Sequence, residues 1–291
     1  MGIKRKNKLG MLWRNIKFLM RVDLRMELSN YVGHRAKLAD LLKDANLFKI
    51  RDFEETAEFL ASSSASIARY GDGEFAIMEG RGITFQQPDA GLARRLHEIL
   101  RNPPKNCEIA VPRICWYMDA RLKPSDHAWW FRYMREKGLF VESLLDPKRT
   151  FCDSYVSLFT QATVDEYDCA ALFERIRRIW NGRDILIVCG QGIFDGFEYD
   201  VFDNARSVEF VYGPKRDAFS AYDSLLEKVK TAAQGRLVLI VLGPTATVMA
   251  ADLASAGIRA LDLGHLAKAY NAFMEGAPNN ETAHKKFFRA D

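Results

Sequence analysis

The stretch "LVLIVLGPTATVMAADLASAGIRALDL", residues 237–263, decides the fold. An unbroken apolar run, Leu237 to Leu242, enters the small-residue loop Gly243-Pro244-Thr245-Ala246-Thr247. A segment of helical character, "TVMAADLASAG", follows, and "RALDL" (259–263) closes the unit with a second short apolar run. A continuous apolar strand, as opposed to an alternating one, predicts burial on both faces. That is the signature of a parallel sheet covered by helices.

The same alternation extends outward. Strand-like runs recur at "SIARY" (66–70), "EIAVPRI" (108–114), "DILIVC" (184–189) and "SVEFVY" (207–212). Between them lie "AGLARRLHEILR", "SDHAWWFRYMREKG", "DEYDCAALFERIRRIW" and "DAFSAYDSLLEKVKTA", all with helical periodicity. The expected fold is α/β: a Rossmann-like, mostly parallel sheet with helices on both faces, spanning residues 51–275. A basic helical extension (1–50) precedes it, and a polar tail (276–291) follows.

The bulk composition suits one substantial core. The chain has 291 residues, 48% of them apolar and 27% charged, and a net charge of only +4. So mild a balance does not indicate nucleic acid as a partner. Five cysteines without a CxxC pair, and five histidines, support neither a disulfide framework nor a structural zinc site. No apolar run reaches the roughly 20 residues needed to span a bilayer, and no signal peptide is expected. The expected location is cytoplasmic.

Charge is concentrated at the start. Residues 1–22 carry seven lysines and arginines and no acid, with Leu9, Leu12, Trp13, Ile16, Leu19 and Met20 at helical spacing. Such a helix reads either as an element lying on an anionic membrane surface or as one packed on the domain with its charges solvated.

In an open parallel sheet, ligands bind beyond the carboxyl ends of the strands. The loop after "SIARY" is Gly71-Asp72-Gly73-Glu74. Later loops carry Gly190-Gln191-Gly192, Gly213-Pro214-Lys215-Arg216, Gly243-Pro244-Thr245 and Gly264-His265. The Gly243–Thr247 segment opens a helix and reads as an anion site or as a threonine cap. No GxxxxGK[ST] or early GxGxxG appears, which disfavours P-loop and dinucleotide-binding readings. In an extended segment, alternate residues project to one side, so Asp72 and Glu74 are expected to offer two carboxylates to one divalent cation. Arg69, Lys215 and Arg216 add positive charge.

The segments "RYGDGEF", "GITFQQPDAGLARRLHEIL", "VFDNARSVEFVYGPKRDAFSAYDSLL" and "LGPTATVMAADLASAGIRALDLGHL" together resemble the GT-D-fold glycosyltransferases, over about residues 60–270. The resemblance implies a GT-D type fold and an enzyme that uses a nucleotide-sugar donor, UDP-linked in most cases, with Mn2+ or Mg2+. On that basis Asp72 and Glu74 are the metal and diphosphate carboxylates, Arg69 is the nearby arginine, and His265 completes the metal set. Gly71 and Gly73 flank the carboxylates; Gly243, Pro244 and Thr245 form the nucleotide-side loop; Lys215 and Phe219 line the base or ribose. The acceptor is expected to be a glycan, a lipid-linked sugar or a protein in bacterial surface-glycan assembly. Glu74 and Asp195 are the candidate bases.

Two segments depart from the pattern. An acidic Glu-Gly followed by a Thr-Arg stretch is replaced by Cys189-Gly190-Gln191-Gly192 and "IFDGFEYDVFDNA", and an acid after the Gly-His pair is replaced by Ala267. These departures leave a second reading open: a nucleotide-binding scaffold without turnover.

Overall fold

The structure, a computed structural model, describes residues 48–277 and Phe287. The basic extension up to residue 47, and with it the membrane-surface helix expected at 1–22, lies outside the described residues, as does most of the polar tail.

The elements follow one another as β1 (Lys49–Ile50), α1 (Phe53–Ser62), β2 (Ser66–Arg69), α2 (Asp72–Met78), α3 (Ala90–Arg101), β3 (Cys107–Val111), α4 (Pro124–Leu144), β4 (Thr150–Asp153) and α5 (Phe159–Ala162). Then come α6 (Cys169–Arg177), β5 (Asp184–Gly190), β6 (Ser207–Gly213), α7 (Tyr222–Ala232), β7 (Leu237–Val241), α8 (Pro244–Ser255), β8 (Ala260–Asp262) and α9 (Leu266–Met274). The strands form one eight-stranded sheet in the order β1-β4-β3-β2-β8-β7-β5-β6. The pairings of β2 with β3 and β8, of β3 with β4, of β5 with β6 and β7, and of β7 with β8 are all parallel. The α/β sandwich expected from the alternating runs is therefore the observed fold.

Burial explains which runs became strands. In β5 every residue from Ile185 to Cys189 is buried, and in β7 every residue from Leu237 to Ile240. Each such Leu, Ile or Val stabilises the fold by about 1.5–3 kcal/mol relative to exposure. Helix α8 is buried at nearly every position from Pro244 to Ala254 and packs across β2 and β8. Its small residues, mostly Ala and Thr, permit that close approach. Helix α3 buries only one stripe, Leu92, Leu96, Ile99 and Leu100, and starts where Asp89 accepts the Leu92 N–H at 2.8 Å.

Backbone contacts divide the chain into two compact units. The larger holds Ile50–Pro112, Phe151–Gln161 and the chain from Asp168 onward, and it contains nearly all of the sheet. The smaller includes Arg113–Thr150 and Ala162–Tyr167 and is built around α4. There Trp130 and His127 are buried, while Trp129 and Phe131 face solvent, so the aromatic-rich "HAWWF" run is split between a packed face and an open one.

The strand order reverses at two points. From β2 the chain moves outward to β3, whereas β8 arrives on the other side of β2. From β5 it moves outward to β6 and then returns to β7 on the opposite flank. Crevices at such reversals are where ligands bind in open α/β sheets.

Candidate active site

The first reversal, between β2 and β8, is filled by a polar cluster. Arg69 ends β2, and its guanidinium turns inward onto Asp262 of β8, with Nη2 3.0 Å from Oδ1. Arg69 Nε–H also donates to the Asp262 carbonyl at 2.9 Å, and Nη1–H donates to Ser157 Oγ at 2.6 Å. Thr247 of α8 donates to the Arg69 carbonyl at 2.9 Å, with Asp262 Oδ2 3.2 Å away. Gly264 makes this possible. At φ +49, a Cβ there would stand 1.9 Å from Arg69 Nη2. Arg69 is therefore tied to Asp262 and Ser157, a partnership the sequence reading did not anticipate.

Asp72 and Glu74 do not lie in an extended segment. They are the first and third residues of α2, whose start at Gly71 is fixed when the Gly71 N–H donates to Glu74 Oε2 at 2.8 Å. Acids in a first helical turn are favoured by the dipole. Residues two apart on a helix point about 200° apart, so the alternation of an extended segment does not bring the two carboxylates together, and their environments differ. Asp72 is exposed, and its pKa is raised by partial burial of the carboxyl, with Arg81 as the opposing charge. Glu74 is raised to about 7, first by burial and then by the Asp262 carboxylate, partly offset by Arg69. Among the described residues, no three His, Cys, Asp or Glu side chains gather in a metal-ligand group.

His265 follows Gly264 just before α9. Burial, together with Arg69 and Lys268, lowers its pKa to about 4, so it is neutral at pH 7. Its ring stands 5.7 Å from the buried ring of Phe287. The set of Asp72, Glu74 and His265 is thus not assembled as one cage.

The second reversal, between β5 and β7, is lined by main chain. Gly243 caps α8 at φ +54, and a Cβ there would lie 2.4 Å from Phe85 Cε2. Gly190 leaves room for the Lys215 backbone, 2.8 Å from where its Cβ would be. Thr245, in the first turn of α8, is fully buried, and its Oγ1 has no hydrogen-bond partner. Neither Thr245 nor Thr247 caps the helix, since the cap is a glycine. Lys215 and Arg216 are exposed, and Phe219 stacks on Tyr222 at 5.1 Å. Tyr222 Oη donates to Asp252 Oδ2 at 2.6 Å, and Arg95 pairs with the same carboxylate. Asp195 folds over its own loop: its Oδ2 would be 2.9 Å from a Cβ on Gly192. The sequence reading missed Asp262 and Phe85. Of these, only Asp262 carried a signal, an acid inside the apolar run "RALDL".

A doubly reversed parallel sheet with acids and a glycine-capped helix at its carboxyl edge defines a Rossmann-like α/β protein. The family model for the glycosyltransferase GT-D fold matches residues 67–289, and the chain belongs to that family. It is 29% identical over 238 residues to the "Probable glycosyl transferase Gly" of Streptococcus gordonii, covering 81% of this chain and 35% of that protein. It is 28% identical over 243 residues to "Glycosyltransferase GlyD" of Streptococcus pneumoniae serotype 4, covering 81% of this chain and 29% of that one. The chain thus spans about a third of the curated relatives it matches. Among solved structures, the one described as "The highly conserved domain of unknown function 1792 has a distinct glycosyltransferase fold" superposes with TM-score 0.77 at 27% identity, over 87% of this chain and 94% of that one. "A New Glycosyltransferase (DUF1792) from Streptococcus sanguinis" gives TM-score 0.74 at 27% identity, over 84% and 95% of the two chains.

Proposed function

We propose that this chain transfers a sugar from a nucleotide-sugar donor, UDP-linked, to a hydroxyl of a glycan, lipid-linked or protein acceptor in surface-glycan assembly. The observation that carries the reading is Glu74, a carboxyl with a pKa of about 7 at the β2–β8 reversal of a GT-D-family sheet. A group that exchanges its proton near neutrality is matched to general base work, and it takes the acceptor proton as the new glycosidic bond forms. Asp195 is the weaker candidate because its carboxylate is turned onto Gly192. The start of α8 supports donor binding: the positive end of its dipole and the unpartnered Thr245 hydroxyl suit a diphosphate, and exposed Lys215 and Arg216 add charge.

The three-ligand cage does not fit a metal here, but exposed Asp72 fits a sparser mode. Mn2+ or Mg2+ held by one carboxylate takes the rest of its shell from water and phosphate oxygens. When bound there, the ion would neutralise charge on the departing diphosphate. We further propose that residues 1–22 rest on an anionic membrane surface. Among the described residues, no helix is long and apolar enough to cross a membrane.

The test is a thermal-shift panel of UDP, GDP, CDP and ADP, each with Mn2+ or with chelator, followed by donor turnover for wild type, Asp72→Ala and Glu74→Gln. Metal-dependent stabilisation by UDP that Asp72→Ala abolishes, with turnover lost about 10²–10⁴-fold in Glu74→Gln, supports the reading. Nucleotide binding without turnover in wild type would favour the scaffold reading.

A further inference from the structure

Asp217 is the only non-glycine residue at positive φ among the described residues, at φ +50. A side chain in this left-handed region is strained and persists only where its surroundings hold it. Ser220 donates to the Asp217 carbonyl through N–H at 2.9 Å and Oγ–H at 2.7 Å, and two further hydrogen bonds cross to one distant segment. The Asp217 N–H donates to the Phe85 carbonyl at 2.9 Å, and Asp217 Oδ1 accepts the Gln87 N–H at 2.6 Å.

The segment it reaches, residues 81–88, is a tight turn. The Ile83 N–H donates to the Gln86 carbonyl at 2.8 Å, and the Gln86 N–H returns to the Ile83 carbonyl at 3.3 Å. Gln86 is buried, and Gly82 leaves room for Pro88, whose Cδ lies 2.9 Å from where a Cβ would be. The turn reaches both halves of the site. Ile83 lies against Gly73 of α2, and the Phe85 ring covers Gly243 at the start of α8. Asp217 itself directly follows the exposed cations Lys215 and Arg216.

We propose that Asp217 is a latch, a positioning residue that joins the 81–88 turn to the 213–217 loop so that both close over the amino end of α8 as one wall of the donor site. Its role in donor affinity rests on the nucleotide-sugar reading; its role in coupling the two segments does not. The oxygen at Oδ1 supplies the side-chain half of the joining, beside the backbone bond to Phe85, and a left-handed backbone aims it. Asparagine keeps an acceptor there and tolerates the conformation. Glycine relieves the strain but offers no acceptor, and alanine provides neither advantage.

The experiment has two arms on the full chain. Amide hydrogen exchange compares wild type, Asp217→Ala, Asp217→Gly and Asp217→Asn without nucleotide. The latch requires exchange in 81–88 and 213–219 to rise together in Ala and Gly, and to stay near wild type in Asn, with β5 and β7 unchanged. Loosening of one segment alone, or an Asn variant as loose as Ala, overturns it. In the second arm, UDP with Mn2+ is titrated into each variant and donor kinetics are recorded. Loss of about one hydrogen bond predicts roughly tenfold weaker UDP binding in Ala and Gly, restored in Asn, and falling on KM instead of kcat. Unchanged affinity in loosened variants overturns the donor role. Should wild type bind none of the nucleotides, the sugar-transfer reading fails, while the exchange arm still decides whether the two segments are latched.

Discussion

Between β2 and β8 the carboxyl edge of the sheet is packed with bonded polar side chains, whereas between β5 and β7 it is lined by glycines with close neighbours. At the first reversal Arg69, Asp262, Ser157 and Thr247 bond to one another, and Glu74 sits in their field. At the second, Gly190 and Gly243 bring main chain or a ring to where a Cβ would be, and the Thr245 hydroxyl stands unpartnered. The first region holds charge at fixed positions, and the second brings main chain and a ring close to its glycines. Substitutions should therefore appear in stability and proton affinity at one and in ligand binding at the other.

The largest break is expected from Asp262→Ala. It leaves the Arg69 guanidinium, whose side chain is only 13% exposed, buried without its partner. Removing one member of a buried pair costs about 3–5 kcal/mol, which for a chain of this size lowers the melting midpoint by about 10 °C. Calorimetry that found a change below about 1 kcal/mol would mean that the cluster is solvated and the comparison misdrawn.

A matched pair of glycine substitutions sharpens the contrast. Gly264→Ala drives a methyl into a guanidinium pinned by several hydrogen bonds, and it should cost about 2–3 kcal/mol. Gly243→Ala meets the Phe85 ring, which is only half-buried and can swing away. It should cost less, about 1–2 kcal/mol, and Phe85→Ala added to it should recover part of that loss. Denaturant midpoints for the two single variants and the double variant decide the point. Equal costs at both glycines would erase the distinction.

The layout of strands was legible because burial on both faces writes an unbroken apolar run into the chain. "DILIVC" and "LVLIVL" became β5 and β7 almost residue for residue. The short outer strands Lys49–Ile50 and Thr150–Asp153 were not legible, since two to four residues carry no period. Helix α2 was missed for a physical reason: Gly71 and Gly73 flank an acid, which is turn chemistry, and the Glu74 side chain that starts the helix looks identical in either conformation. The difference bears on the site, because Asp72 and Glu74 project to one side in an extended segment and to different sides of a helix. Asp217 was illegible altogether. Its partners lie 130 residues away, and nothing local distinguishes it from any other aspartate before a helix.

Glu74 gives a smaller effect with a definite sign. Its folded pKa is raised from 4.5 to about 7, so the folded state holds this proton more tightly than the unfolded chain. The associated stability is fully present below the unfolded value and is lost as pH rises from 4.5 through about 7. The loss is about 2 kcal/mol, moderated by coupling to Asp262. In chelator, urea midpoints for wild type and Glu74→Gln should therefore converge near pH 4.5 and diverge toward pH 7.5, with Gln the more stable. Asp72 slopes in the same direction in both proteins and cancels from the difference. Parallel profiles would show that the carboxyl is solvated, and with that the base assignment falls.

The smallest effect tests the glycine-lined region by itself. Thr245→Val replaces a buried, unpartnered hydroxyl by a methyl of nearly the same shape. Nothing in the protein loses a hydrogen bond, and desolvation of the hydroxyl no longer opposes folding, so stability should hold or rise by up to about 1 kcal/mol. If that hydroxyl instead waits for a donor phosphate, UDP affinity should drop about fivefold to tenfold in the same variant. The two readouts must move apart, with folding unharmed and binding weakened. A variant that loses stability would show that Thr245 already has a partner within the fold, and the second reversal would then be packed like the first.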